Sequence, residues 1–419
     1  MLMRSMKPAL IWVAIGLPLL SNNSFSVNVT DAIFDDFTSK GFTRFEYQGR
    51  SPYVDDQATD LRENIDGQFE LDWSSSDFSV DTLSYFKYRP QYSDQSTDVK
   101  DELEWDADLR EWIIAYESSQ WVYRIGRQQV AWGKGDYFRI VDVINPLDLR
   151  EGLLTYIDDY ALGRQPRNMA VIEYFLNDVE FQFIAAYETQ KTLSAPLNTD
   201  FTVQGFPDNA ELESNDNIDF GLRARFFLEG TDLDIYVFDG YNPDPILKQN
   251  TQNQYEGTFS KRQLLAVSFA RSNDYGVIRS DIAYYPKESL QLSDGGDEIS
   301  KFDVLLGFDA QENEWSFNFQ GAVSQYISVS DEYARDKQVL SASAFIEKQW
   351  SQLRLTSSIL WLYSYQDNAS SMVKYLVSYE WFDATELELG IIGFDGKKST
   401  LHGMYDDQDR MYVNLKYSF

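Results

Sequence analysis

The sequence predicts an all-β protein: a transmembrane antiparallel up-and-down β-barrel of about eighteen strands (16–18), with its third outer loop folded inward. Three observations carry that prediction. Apolar and polar residues alternate in segment after segment, each roughly ten residues long. Short turns and longer loops follow one another in alternation between those segments. One connection, residues 129–168, breaks the rhythm. It runs for about forty residues without a sustained period, yet it is too rich in Trp, Tyr, Ile, Val and Leu to be disordered.

The bulk properties agree and exclude other classes. Of 419 residues, 28 are Phe, 27 Tyr and 10 Trp, yet 25% are charged and the mean hydropathy is −0.42. Aromatic richness with a polar average suits strands that have one apolar and one polar face. There is no Cys, so a disulfide framework and a thiolate metal site are both excluded. The single histidine, His402, argues against a Ser-His-Asp triad or a multi-histidine metal centre. No cofactor is implied. The net charge of −31 argues against nucleic-acid binding and predicts an exposed acidic surface.

The N-terminus reads as a signal peptide over residues 1–26. Arg4 and Lys7 precede the apolar run Ala9 to Leu20, which is too short to span a bilayer, and Ser24-Phe25-Ser26 follows as a cleavage site. Residues 27–40 are then a periplasmic lead-in and 41–419 the barrel. Beyond Ser26 no run of about 18 apolar residues occurs, which excludes membrane helices but not membrane strands.

Gly41 to Gln48 is the first strand. In 64–73, Ile65, Gly67, Phe69, Leu71 and Trp73 alternate with Asn64, Asp66, Gln68, Glu70 and Asp72. Burying a charge in a dry interior costs several kcal/mol, so that acidic face is wet and the other meets lipid. Strand 78–88 follows a Ser-rich turn. Strand 101–117 slips phase at Arg110-Glu111: Leu103, Trp105, Ala107 and Leu109 are odd, while Trp112, Ile114 and Tyr116 are even. A β-bulge accounts for the slip. Trp121 opens the fifth strand. Strands 169–176 and 179–188 meet at Asn177-Asp178, a two-residue hairpin signal. Strand 217–227 sets Ile218, Phe220, Leu222, Ala224 and Phe226 against Asp219, Arg223 and Arg225. Strands 232–239, 262–272, 277–285, 300–309 and 314–327 continue the pattern, 337–349 alternates poorly, and 352–363, 370–381 and 385–394 resume it. In the last strand, 409–419, Met411, Val413, Leu415, Tyr417 and Phe419 alternate with Tyr412, Asn414, Lys416 and Ser418. Counting the connection between the first two strands as the first outer loop, the others are expected at 89–100, 129–168, 189–216, 240–260, 286–299, 328–336, 364–369 and 395–408.

An even strand count returns both termini to one side, and short turns opposite long loops are the signature of an outer-membrane barrel. Closure leaves no free edge, so every backbone amide can be paired inside lipid. About eighteen strands enclose a lumen that wall side chains alone cannot fill. The third loop is expected to narrow it.

That loop carries both signs of charge. Arg124, Arg127, Lys134, Arg139, Arg150, Arg164 and Arg167 stand against Asp136, Asp142, Asp148, Glu151, Asp158 and Asp159, with Gln128, Trp132 and Asn145 completing the candidate constriction. The candidate wall partners are Glu70, Asp72, Arg223, Arg225, Arg279 and Asp281. Two compatible readings follow: a plug pinned to the wall by salt bridges, or a constriction with opposed charges and aromatic walls (Trp132, Tyr137, Phe138) that selects solutes. Asn145-Pro146 reads as a turn, because Pro fixes its own φ and restricts its neighbour. Gly133 and Gly135 permit tight backbone geometry; no Gly-Lys-Ser/Thr follows to make a phosphate loop. The acidic stretches 294–298 and 406–409 have no EF-hand pattern and read as solvated loops, with divalent cations held between lipopolysaccharides as the alternative.

The run RIGRQQVAWGKGDYFRIVDVINPLDLREG, with RQPRNM after it, resembles a Gram-negative outer-membrane family catalogued as domain of unknown function 1302. Arg124, Gly126, Arg127, Gln128, Trp132, Gly133, Lys134, Asp136, Asp142, Asn145-Pro146, Asp148-Leu149-Arg150-Glu151, Arg164 and Pro166 carry the resemblance. It implies a porin-like barrel associated with the movement of hydrophobic compounds; beyond Glu188 it is architectural only. The terminal Tyr417-Ser418-Phe419 is similar to the aromatic signal read by the barrel-assembly machinery. The partners expected are outer-membrane lipid and lipopolysaccharide, that machinery through Phe419, and a solute. The charged lumen favours polar or ionic solutes, while the aromatics and the resemblance leave hydrophobic ones open. The expected function is a passive, loop-gated channel. The alternative is a non-conducting barrel that serves an envelope complex as a structural or assembly partner. Catalysis is not expected, since one His on a loop tip is a poor candidate for a barrel hydrolase.

Overall fold

A ribbon with one apolar and one charged face suits a membrane only when its two edges meet. In the computed structural model they do. It describes residues 37–50, 61–154, 157, 160–196, 199, 201–202, 211–213, 216–250, 255–292, 295–329, 333 and 335–419. The predicted signal peptide, most of the lead-in, Asp158, Asp159 and Asp294 lie outside the described residues.

Eighteen strands form one closed antiparallel sheet. They are β1 Phe37–Arg50, β2 Leu61–Ser75, β3 Phe78–Tyr88, β4 Trp105–Glu117, β5 Trp121–Gln128, β6 Arg167–Leu176, β7 Val179–Tyr187, β8 Ile218–Leu228 and β9 Thr231–Tyr241. The second half comprises β10 Lys261–Asn273, β11 Gly276–Leu292, β12 Gly295–Glu312, β13 Trp315–Ile327, β14 Gln338–Trp350, β15 Leu355–Gln366, β16 Asn368–Phe382, β17 Thr385–Gly396 and β18 Arg410–Ser418. β1 pairs with both β2 and β18, and Gly41 and Phe419 exchange two backbone hydrogen bonds of 2.9 Å. The predicted hairpin at Asn177-Asp178 joins β6 to β7, with Asn177 at φ 50.

The alternation separates two environments. On β8, Ile218, Phe220 and Leu222 are each 47% exposed, whereas Asp219 is 1% and Arg223 6% exposed. The exposed apolar row is the lipid face, and the buried charges face the lumen. Inside, Arg44 on β1 forks onto Asp66 on β2 with two bonds of 2.9 Å. The bulge lies where the phase slip predicts it. The β3–β4 register shifts between Leu83 and Ser84, so Leu109 and Trp112 both face outward and Arg110 becomes a buried inward side chain.

Four expectations are corrected. Residues 37–40, expected as lead-in, belong to β1. The start of the expected strand 101–117 is the helix Thr97–Leu103. Val99 and Leu103 lie one helical turn apart and pack with Tyr92, and Leu103 happens to match the strand phase as well. The expected loop 286–299 is largely ladder, since a register shift between Tyr285 and Glu288 absorbs Pro286 and pairing resumes to Leu292↔Gly295. The expected loop 364–369 is a hairpin that reverses at Asp367, which adopts φ 60.

The inner wall is also less uniformly charged than the sequence implies. One dry cluster unites Val130, Trp132, Ile140, Val141, Val143 and Ile144 of the third loop with the inward Val171, Ile184, Tyr236, Leu264, Ala283 and Leu305 of the wall. A second joins Leu154, Phe201 and Tyr405 of the outer loops to Leu360, Leu362, Met372, Ile392 and Phe394. Apolar side chains on the lumen side are stable there because inserted loops cover them.

Candidate functional site: the inserted third loop

The third loop leaves β5 at Gln128 and re-enters the wall at Arg167. Its neck is closed by side chains. Asn145, 1% exposed, accepts from the Val130 N–H at 2.9 Å and donates to the carbonyls of Gln165 (2.8 Å) and Gln128 (3.4 Å). This residue does more than shape the predicted turn. Arg167 pairs with Asp219 at 2.8 Å and donates to the carbonyls of Ile144 and Glu188, while Gln128 donates to Met169 O. Asp142 gathers Arg139 (3.1 Å), Arg164 (2.8 Å) and the Tyr160 hydroxyl (2.9 Å).

From that neck the loop reaches across the wall. Trp132 donates to Gln182 on β7 at 2.9 Å and lies against Tyr236 on β9, ring centroids 5.2 Å apart. Gly221 on β8 makes room for it: a Cβ there would lie 2.6 Å from the indole. Trp132 therefore packs against the wall and does not line an aperture, contrary to expectation. Gly133 takes φ 87, a conformation that suits glycine, and turns successive amides toward one acceptor. The N–H groups of Lys134 (2.9 Å) and Gly135 (3.1 Å) both donate to Asp281 on β11. The Lys134 ammonium pairs with Asp234 on β9 at 2.9 Å. Arg279 forks onto Asp136 (3.1 and 2.6 Å), and Asn318 and Gln320 on β13 donate to the same carboxylate. Tyr285 closes the row by donating to Ile140 O.

The far half of the loop is held from β3 and β4. Glu151 accepts from Lys87 and Arg89, each at 2.6 Å, and Arg150 bridges Asp148 and Asp106. Burial alone would raise the Glu151 pKa, but the adjacent Lys87 and Arg89 override it and hold the carboxyl well below its ordinary range. Arg110 donates to the carbonyls of Ala161 and Leu162, both 2.8 Å, and to that of Arg164.

Other predicted site residues do not touch the loop through the bonds expected of them. Arg124 forks onto Glu173; Arg223 pairs with Glu180; Arg225 pairs with Asp234 and Glu180. Glu70 pairs with Lys40, and Asp72 accepts from Thr38. Arg127, expected in the lumen, shares register with the outward Trp112 and sits at the outer rim, ion-paired with Asp108. It continues the outward phase of Trp121, Tyr123 and Ile125 on β5. Sequence reasoning misses Lys87, Arg89, Asp106, Arg110, Gln182, Asp219, Asp234, Asn318 and Gln320. Most of them stand at inward phase, which is their one available signal. Among the described residues, no group of three or more His, Asp and Glu side chains is placed to hold a metal ion.

The fold is similar to that of many solved structures, among them the following three. OccAB3 of Acinetobacter baumannii matches at 11% identity over 92% of this chain and 99% of that chain, TM-score 0.56. OpdK of Pseudomonas aeruginosa with vanillate matches at 10% over 92% and 99%, TM-score 0.55. A BenF-like porin from Pseudomonas fluorescens Pf-5 matches at 10% over 92% and 98%, TM-score 0.55. At such identities the likeness is one of fold, that of porin-like outer-membrane barrels. No curated protein matches the sequence. The model of the family described as "Protein of unknown function (DUF1302)" matches residues 19–419, and the chain belongs to that family.

Proposed function

We propose that the protein is an outer-membrane channel for passive passage of small solutes, with the third loop setting its aperture. The observation that supports this reading is the reach of the loop. Rooted between β5 and β6, it is tied to β9, β11 and β13 through Lys134, Gly135 and Asp136. A segment pinned along the inner wall narrows the lumen and offers its own charges to what passes. The solute class follows from the lining. Along the arc from β5 to β13, Arg124, Asp136, Arg225 and Asp309 keep part of their side chains exposed, whereas Leu360, Met372, Ile392 and Phe394 on β15 to β17 are buried under the outer loops. The groups a solute can reach are therefore charged, which favours one with a polar or ionic end. Single-channel conductance in planar bilayers tests the reading. A chain lacking residues 134–157 is expected to conduct more than the full chain. Equal conductance rejects the gating role, and silence from both chains rejects the channel.

One observation favours a second reading. Leu154, Phe201 and Tyr405 pack together from three outer loops, as a closed structural or assembly barrel would require. That barrel gives no conductance and a stable co-purifying envelope partner.

A further inference from the structure

Among the described residues, the largest step in the barrel wall lies between β4 and β5. β4 runs from Trp105 to Glu117, but it pairs with β5 only from Trp112↔Arg127 to Glu117↔Val122. On its other edge it pairs with β3 all the way to Tyr88↔Trp105. The seven residues Trp105–Glu111 thus have a ladder on one side only. Strand tilt accounts for a stagger of about one residue between neighbours. The excess arises because β5 stops at Gln128 and the chain turns into the lumen.

Among the described residues, no backbone hydrogen bond joins Trp105–Glu111 to residues 129–166. Side chains close the seam instead. Arg127 pairs with Asp108 at 2.7 Å and donates to Leu109 O at 3.1 Å. Gln129 donates to Glu111 at 2.7 Å, and Arg150 reaches Asp106 at 2.6 Å. Arg110, turned inward by the bulge, holds the carbonyls of Ala161, Leu162 and Arg164. The segment 161–166 thereby lies against the seam. On the outside, Leu109 is 44% and Ile125 57% exposed, so apolar surface flanks the step. A cooperative ladder must break as a unit, whereas side-chain ties release on rotamer changes.

We propose that the β4–β5 seam is a side port through which an amphipathic solute passes between the lumen and the outer leaflet, with residues 161–166 as its shutter and Arg110 as the latch. The proposal rests on the channel reading above. The port sits at the loop-bearing end of the strands, where the apolar body of such a solute enters hydrocarbon while Arg110 and Arg127 meet its polar end.

The chain has no native cysteine, so one nitroxide at Ala161→Cys reports on the shutter without interference. The full-length protein in phosphatidylcholine vesicles is compared with Arg110→Ala and Arg127→Ala versions carrying the same label. Collision with membrane-dissolved oxygen is read against collision with a water-soluble nickel chelate. Release of either tie is expected to raise oxygen access several-fold relative to the chelate. The port is overturned if only chelate access rises, or if neither changes in variants whose gel mobility still shifts on heating. The two-variant design covers failure of one to fold. Conductance without oxygen access sinks the port alone, and oxygen access without conductance sinks the channel alone.

Discussion

Asp281→Ala removes the anchor on which the aperture depends. Asp281 is fully buried and accepts from two backbone donors, Lys134 and Gly135, of the inserted loop. Hydrogen bonds to a charged group contribute about 1.5–3 kcal/mol each, so the pair contributes about 3–6 kcal/mol to docking. Water in the lumen re-solvates part of what is freed, which leaves a net loss of about 2–4 kcal/mol. At about 1.4 kcal/mol per tenfold, the docked-to-released ratio falls by between about 30- and 700-fold. Lys134–Asp234, the Arg279–Asp136 fork and Trp132–Gln182 remain, so the loop loosens at its tip and keeps its root. Single-channel recording at neutral pH should show larger, noisier openings, with Asp281→Asn intermediate because one acceptor survives. A folded Asp281→Ala barrel with unchanged conductance and noise would refute the reasoning, since the loop would then be held by something else.

Four further outcomes are expected. Gly221→Val drives a side chain into Trp132, since the new Cβ would fall 2.6 Å from the indole, so tryptophan emission should shift red and conductance should rise. Arg167→Ala leaves Asp219 buried without its counter-charge, though still bonded to Thr189 and the Tyr241 N–H, at a cost of up to about 3–5 kcal/mol, read as a lower temperature of heat-induced gel shift. Glu151 is held well below its ordinary pKa, so its contribution is complete above the unfolded value and disappears only as pH falls through the lower folded one. Conductance should therefore stay flat from neutral pH down to ordinary carboxylate pH, and Glu151→Gln should change it already at neutral pH. Burial pushes His402 from 6.5 down to about 4, so the unfolded state binds its proton first and acidification between those values destabilises the ninth outer loop. Protection factors at residues 397–408 should fall across that window, and His402→Gln should leave only the part of the fall that comes from Asp406 and Asp409, whose carboxyls burial pushes up.

The strands are legible in the sequence because lipid and water impose a period of two on residues that touch them. Even the bulge can be read, since Leu109 and Trp112 are both apolar across the phase slip at Arg110-Glu111. The helix Thr97–Leu103 cannot, because one helical turn and two strand steps both place Leu103 beside an apolar neighbour. Pro286 reads as an end of pairing, but a bulge at that point lets the ladder resume. In the site, charged residues can be found but not matched. Arg124 and Arg223 pair with wall carboxylates, while Asp281 receives loop amides, which have no sequence signature at all.

The sequence by itself determined the closed β-architecture, its strand number within the range 16–18 and the exceptional third loop, because those follow from local alternation and its interruption. Only the tertiary structure decided which partner each charge takes, that Asn145 joins the ion pairs in bracing the neck, that Trp132 is buried, and that the inner wall carries two dry clusters. The physical reason is one of range. Alternation is written between neighbours in the chain, whereas the bond from Lys134 to Asp281 joins residues 147 positions apart, and its strength exists only once the cylinder has closed around the loop.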